Sequence, residues 1–343
     1  MNPPTLHLGI DLAKDKFDVC LLTPEGLHHA SFANTEPGFD QLLVWLQNRQ
    51  ATGARACMEA TGKHGRVLAA FLHQHQIALS VVNPLAIYYF ARSQMSRNKT
   101  DPHDAHLIAR YSQSYTPRLW QPRSQEHQQL QDWVRAREQL IHSRTAAQLR
   151  WQASAKATQR LFAAQIRLLE KQIAGLNQQI AGLCTAPGPL QQPLTLLASI
   201  PGIGQTTAAT ILATMPDLEE LGGARQLAAF AGLTPCQAQS GLSAGKTRLC
   251  KLGHSRLRKA LYFPALAALR CNPRAQDLAV RLAEKGKGKM VIIGAVMRLL
   301  LHLSYGVLKT QLPFDPNHLQ AQAQIKTSNR AALSPSSRPV AVK

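Results

Sequence analysis

The chain has 343 residues, enough for about two domains with buried cores, and is 45% hydrophobic and 17% charged, which excludes a peptide-sized product and a wholly disordered polymer. Lysine and arginine number 39 against 19 aspartates and glutamates, a net charge of +20 that exceeds what solubility requires and points to a polyanionic partner. The excess is uneven: residues 1–127 carry 12 basic and 10 acidic side chains, residues 128–343 carry 27 and 9, so the grip on a polyanion belongs mainly to the second part.

Met1-Asn2-Pro3-Pro4 has neither the basic nor the apolar stretch of a secretion signal, which predicts a cytosolic protein. Leu6 to Ile10 runs into Asp11, and Phe17 to Leu22 is a second apolar run broken by Asp18, predicting two strands joined near Lys14-Asp15-Lys16. Pro24-Glu25-Gly26 reads as a turn into a third strand, His28 to Phe32, and Phe39, Leu42, Leu43 and Leu46 recur at helical spacing. Arg55 to Glu59 is a short strand, Val67, Leu68 and Phe71 mark a helix, and Ala78 to Val82 is a strand ending at Asn83-Pro84. Asp101-Pro102 opens a further helix, with the aspartate as cap and proline at the first position. Strand, helix, strand in this order predicts an α/β domain with a mixed sheet over residues 1–120.

From about Gln125 to Leu183 there is no proline, which predicts one or two long helices over residues 121–185. Phe162, Ile166, Leu169, Ile173, Leu176, Ile180 and Leu183 alternate steps of four and three, the heptad rhythm of a coiled coil, either between chains or antiparallel; a long amphipathic helix packed on its own chain has the same signature. Ala186-Pro187-Gly188-Pro189 starts a mostly helical unit, residues 186–320, and residues 321–343 read as a disordered tail. Within that unit, Met290 to Leu308 is apolar but interrupted by Arg298 and His302, so it reads as a buried helix and no membrane partner is expected. The six cysteines form no CxxC pair and predict neither a zinc site nor a redox pair.

Asp11 and Glu59 end predicted strands, and Asp101 and Asp104 share the first turn of a helix. Acids where a sheet runs out suit a hard cation such as Mg²⁺, which would relieve their mutual repulsion. Local capping accounts for Asp101 and Asp104 without a metal, though not for Asp11 or Glu59. Asp15 and Asp18 are competing ligands, with Lys14 and Lys16 beside them reading as surface pairs.

Ile200-Pro201-Gly202-Ile203-Gly204 between two helical segments predicts a hairpin whose second helix offers backbone N–H groups to a phosphate; a plain turn with glycines for close packing is the alternative. Lys246, Arg248, Lys251, Arg256, Arg258 and Lys259 follow without an intervening acid, a run suited to backbone phosphates, with His254 as a proton carrier or contact among them. Trp120, Trp133 and Trp151 could stack bases or fill cores. Ser240 and Ser243 sit in a turn-rich segment just before the run, where a serine could attack a phosphodiester, although serine with glycine ordinarily means a loop.

Gly9-Ile10-Asp11, Met58-Glu59-Ala60-Thr61-Gly62, Asn98-Lys99-Thr100-Asp101-Pro102-His103-Asp104-Ala105, Ile200-Pro201-Gly202-Ile203-Gly204, Gly232-Leu233-Thr234-Pro235, Ser240-Gly241 and Gly253-His254-Ser255-Arg256-Leu257-Arg258-Lys259-Ala260-Leu261-Tyr262 occur in this order over about residues 5–315. In these motifs the sequence resembles the DEDD-type insertion-sequence transposases, related to Piv-type DNA invertases and guided by a bridge RNA. The resemblance implies an α/β, RuvC-like, ribonuclease-H-type N-terminal domain, a coiled-coil segment for oligomerisation and a transposase domain containing a helix-hairpin-helix. It also implies that Asp11, Glu59, Asp101 and Asp104 hold Mg²⁺, with Mn²⁺ as a substitute, and that Ser240 is the nucleophile that forms a phosphoserine link to DNA. Further implications are a dimer assembling to a tetramer with composite sites, a structured noncoding guide RNA that pairs with donor and target DNA, and a bacterial cytoplasmic, nucleoid-associated location. A metal-dependent junction nuclease using water and a non-catalytic architectural DNA-binding protein stand as alternatives.

Overall fold

The computed structural model describes residues 6–60, 62–95, 100–237, 239–240, 243–244 and 247–317, and the chain divides after Arg123 into two compact units. The predicted tail lies outside the described residues.

The N-terminal unit contains β1 (His7–Leu12), β2 (Lys16–Thr23), β3 (Gly26–Ala33), α1 (Glu36–Gln47), β4 (Arg55–Glu59), α2 (Lys63–Gln74), β5 (Leu79–Val82), α3 (Pro84–Ser93) and α4 (Asp101–Tyr115). The sheet order is β3-β2-β1-β4-β5, antiparallel among the first three strands and parallel from β1 through β5. This mixed sheet resembles the RuvC and ribonuclease-H-like fold. Phe17 through Leu21 are all buried, so β2 is covered on both faces and reads as a continuous apolar run rather than an alternation. Leu8, Ile10, Phe17, Phe39, Leu42 and Leu68 meet in one core, each large side chain contributing about 1.5–3 kcal/mol by leaving water.

Helix α4 lies directly across β1, and Gly9 makes that possible. A Cβ built on Gly9 would stand 2.0 Å from the Ala105 carbonyl oxygen and 2.4 Å from the Ala109 amide nitrogen. Buried His7 adds a 3.1 Å hydrogen bond between its Nδ1 and Ser112 Oγ, fixing the same helix to the same strand.

Two sequence expectations change here. Asn83-Pro84 ends β5 as expected but also starts α3: the Asn83 side chain accepts a hydrogen bond from the Leu85 amide and Pro84 takes the first helical position. At α4 the cap is Thr100, and Asp101 already belongs to the helix, so both Asp101 and Asp104 lie in the first turn.

The C-terminal unit begins with α5 (Gln125–Ala153) and α6 (Lys156–Thr185). It continues through α7 (Gln191–Ala198), α8 (Gln205–Thr214), a 3₁₀ turn at Leu218–Glu220, α9 (Ala224–Phe230), β6 (Thr234–Cys236), β7 (Gln239–Ser240), β8 (Ser243–Ala244) and β9 (Arg248–Cys250). It closes with α10 (Ser255–Ala260), α11 (Tyr262–Cys271), α12 (Pro273–Glu284) and α13 (Lys289–Thr310). The heptad residues face α5 of the same chain: Leu169, Ile173 and Ile180 are buried, and Phe162, Ile166, Leu176 and Leu183 are half-buried. Leu130 shares a core with Ile180, and Arg137 Nε donates to Asn177 Oδ1 at 2.6 Å, so α5 and α6 run antiparallel as a hairpin. Helix α13 is long and apolar enough to cross a membrane, yet Val296, Leu300, Leu301 and Leu308 are buried in the core of this unit.

Candidate active site and nucleic-acid face

Asp11 is the penultimate residue of β1 and pairs with Asp18 across the antiparallel register. On the other side Ile10 pairs with Met58, so Asp11 and Glu59 come next on two adjacent parallel strands. Because α4 crosses β1 at Gly9, its first turn brings Asp101 and Asp104 toward the same strand end. The electrostatics record the crowding. Burial, followed by the charges of Asp104, Asp101 and Asp18, pushes the Asp11 carboxyl up to about 6.

Lys16 partly answers that negative charge. Its Nζ lies 3.0 Å from Asp18 Oδ2 and 2.8 Å from Asp101 Oδ2, which raises its own pKa and holds Asp101 below the usual carboxylate range. Asp18 therefore pairs with Lys16 as the sequence suggested, but at 8% exposure it is buried beside Asp11 and not a surface residue. Lys16 and Asp18 are the site residues that sequence reasoning set aside. The available signal was an acid inside an otherwise apolar strand.

Among the described residues no three or more His, Cys, Asp or Glu side chains are gathered closely enough to hold a metal ion as they stand. The donor chemistry nevertheless fits a hard divalent cation: the groups are carboxylate oxygens, Asp11 carries uncompensated repulsion, and an ammonium already sits between two of the acids.

In the C-terminal unit, α7 and α8 are joined by the predicted tight turn, a helix-hairpin-helix-like arrangement. Gly202 has φ +100°, and a Cβ there would meet Ala268 Cβ at 2.8 Å, so this glycine serves packing against α11. Asn272 Nδ2 donates to the Pro201 carbonyl and ties the same turn to the start of α12. Gly204, in contrast, is the exposed N-cap of α8 and brings no side chain to cap it.

The basic run divides by role. Arg248, Lys251 and Lys259 are exposed. Arg256 Nε pairs with Glu138 Oε2 at 3.2 Å. Arg258 donates to the Ala231 carbonyl at 2.9 Å and the Lys251 carbonyl at 3.2 Å, so its guanidinium fastens α10 to the preceding loops. His254 caps α10 by accepting from the Leu257 amide at 3.3 Å and stacks on Phe230 with centroids 5.4 Å apart. Its pKa is lowered by burial and then by Arg256, which favours a neutral ring. These contacts give Arg258 and His254 structural duties that the sequence did not reveal. Lys246 lies outside the described residues.

Ser240 ends β7 and pairs with Ser243 of β8; the flanking β6 and β9 pair Cys236 with Arg248 and Thr234 with Cys250. The serine segment is thus itself a short antiparallel pair, inserted in the chain between the two strands of a second pair. All six cysteines are free thiols, and Cys236, despite the absence of a CxxC motif, has its pKa raised by a hydrogen bond with Cys250.

Residues 8–158 match the family described as Transposase, of the DEDD IS110 type, and residues 194–279 match the Transposase IS116/IS110/IS902 family. The chain is similar to pilin gene-inverting proteins of Moraxella lacunata and Moraxella bovis, each 36% identical over 317 residues that cover 90% of this chain and 97% of the relative. It is also 26% identical to the transposase for insertion sequence element IS1111A of Coxiella burnetii, over 77% of this chain and 78% of that one. A two-part match at these strand ends, hairpin and serine segment, with relatives spanned almost end to end, places the function at the level of DNA transposition and recombination: the chain belongs to the IS110/IS1111 family of transposases and is related to the Piv-type pilin-gene invertases.

Proposed function

We propose that the protein exchanges DNA strands through a serine-linked intermediate, with Ser240 as nucleophile and Asp11, Glu59, Asp101 and Asp104 as the ligands of Mg²⁺ or Mn²⁺. The observation that carries this reading is the carboxylate crowding at the end of β1, where Asp11 is pushed up to about 6 by burial and neighbouring acids. An enzyme with no cation to bind would gain stability by losing one of those acids. When bound, the cation would polarise a phosphoryl oxygen and steady the leaving oxygen.

Ser240 Oγ forms a bond to the scissile phosphorus as the bond to one strand oxygen breaks; the serine proton passes to solvent and the departing oxygen takes one up. A strand hydroxyl from the second duplex then displaces the serine, restoring its Oγ–H and closing the exchanged strand. Arg248, Lys251 and Lys259 neutralise backbone phosphates, so affinity falls steeply with salt. Such contacts carry no sequence information, and a structured guide RNA pairing with donor and target DNA supplies it. The catalytic acids of one copy and the serine of another act together in a tetramer, with the α5–α6 hairpin as the element available for assembly.

Supercoiled donor and target plasmids with the guide RNA provide the test. Ser240→Ala is expected to lower recombinant product by about 10³-fold or more, while Ser243→Ala keeps it within tenfold. Recombination by Ser240→Ala at a rate within tenfold of wild type contradicts the serine route, and free DNA ends from that variant favour a nuclease using water.

A further inference from the structure

The C-terminal unit contains a cavity of about 500 Å³ between α5, α8 and the α10–α11 junction. Arg135, Arg137, Arg256 and Lys259 line it against the single acid Glu138, and the first turn of α8 forms part of the wall. Glu138 fixes Arg256 at 3.2 Å, so one guanidinium is already oriented there. Phe263 also lines the cavity and is 76% exposed, a large aromatic that contributes little to the core and meets Tyr262 edge-on at 5.4 Å.

The volume is that of a small-ligand pocket. Four cationic side chains against one acid select an anionic occupant over the apolar face of a partner helix. A second copy would have to bring an acidic patch to this lining, whereas every nucleotide carries a phosphate. A nucleic-acid duplex keeps its base faces stacked inside. An unpaired nucleotide presents both a phosphate for the cations and a flat base face for the phenyl ring.

We propose that this cavity seats one unpaired nucleotide of a bound strand, its phosphate held by Arg135, Arg256 and Lys259 and its base stacked on Phe263. The proposal rests on the preceding reading only in taking a nucleic acid as the ligand; it does not depend on which residue is the nucleophile. Both a guide RNA loop and a displaced DNA strand offer this chemistry.

The test uses the full chain and dye-labelled mixed-sequence strands of about 12 nucleotides, as single-stranded DNA, single-stranded RNA and duplex DNA, at one fixed salt concentration. Phe263→Ala is expected to weaken single-strand binding about tenfold, with duplex binding within twofold of wild type and Phe263→Trp retaining single-strand affinity. Loss confined to RNA assigns the nucleotide to the guide, loss confined to DNA assigns it to the substrate, and loss on both supports a pocket indifferent to the sugar. Single-strand affinities within twofold of wild type, or an equal loss on duplex and single strands, overturn the proposal. So does a changed oligomeric state with strand affinity intact. All binding is read without Mg²⁺, so that no strand exchange occurs and failure of this pocket is distinguishable from failure of the serine mechanism.

Discussion

Gly9→Ala is expected to destabilise the protein by at least about 3 kcal/mol, because the new methyl collides with backbone rather than with a movable side chain. The atoms it meets are the Ala105 carbonyl oxygen at 2.0 Å and the Ala109 amide nitrogen at 2.4 Å, and no rotamer change relieves either. The helix must lift from β1. That movement strains the His7 to Ser112 hydrogen bond and uncovers Leu107 and Ile108, both on the buried face of α4. It also carries Asp101 and Asp104 away from Asp11. Thermal unfolding checks the claim: Tm should fall by about 12 °C or more. Gly175→Ala is the contrast, since a Cβ in that part of α6 meets no atom within 4 Å, and removing a mid-helix glycine should gain up to about 1 kcal/mol. A Gly9→Ala protein melting within 3 °C of wild type contradicts the close approach of α4.

Asp11→Asn is expected to lower strand exchange by about 10³-fold while making the metal-free protein more stable at neutral pH. The folded carboxyl titrates at about 6 against a reference of 3.8. Below about pH 3 the group is protonated both folded and unfolded and costs nothing. As pH rises from about 4 to 6 the unfolded chain gives up the proton more readily, so stability falls, and above 6 the penalty is constant. The full shift corresponds to at most about 3 kcal/mol, and solvent screening of a half-buried group reduces it to about 1 kcal/mol, or about 4 °C in Tm. Without metal at pH 7 the variant should therefore melt higher than wild type, and at about pH 3 the two should coincide. Adding Mg²⁺ at ten times its Kd should raise the wild-type protein by about 1.4 kcal/mol and leave Asp11→Asn nearly unchanged. A Mg²⁺ response equal in both proteins removes Asp11 from the ligand set.

The strands and the helices carrying the acids were legible because their apolar residues follow a period and their ends carry Gly, Asn, Asp or Pro. Asn83-Pro84 shows the limit of such punctuation: the pair that closes β5 also caps α3, and one dipeptide cannot announce both. The heptad pattern marked α6 as packed along one side, but periodicity does not name the neighbour, and α5 of the same chain occupies that face. Asp18 escaped because Lys16 two residues away suggested a solvated pair, whereas β2 is buried on both faces. Arg258 and His254 looked like members of a uniform basic run. Their partners, the Ala231 and Lys251 carbonyls, the Leu257 amide and the Phe230 ring, depend on how the loop before α10 folds back, which no local pattern encodes.

The most direct measurement of the mechanism is the chemical identity of the DNA-linked residue. The wild-type protein is mixed with donor DNA, target DNA, guide RNA and Mg²⁺, quenched in denaturant during the reaction, and digested with nuclease and protease before mass spectrometry. A nucleotide remnant on the hydroxyl of Ser240, absent when Mg²⁺ is withheld, is the expected result. A remnant on Ser243 or any other residue, or complete exchange with no protein-linked nucleotide at any time point, contradicts the serine-linked intermediate.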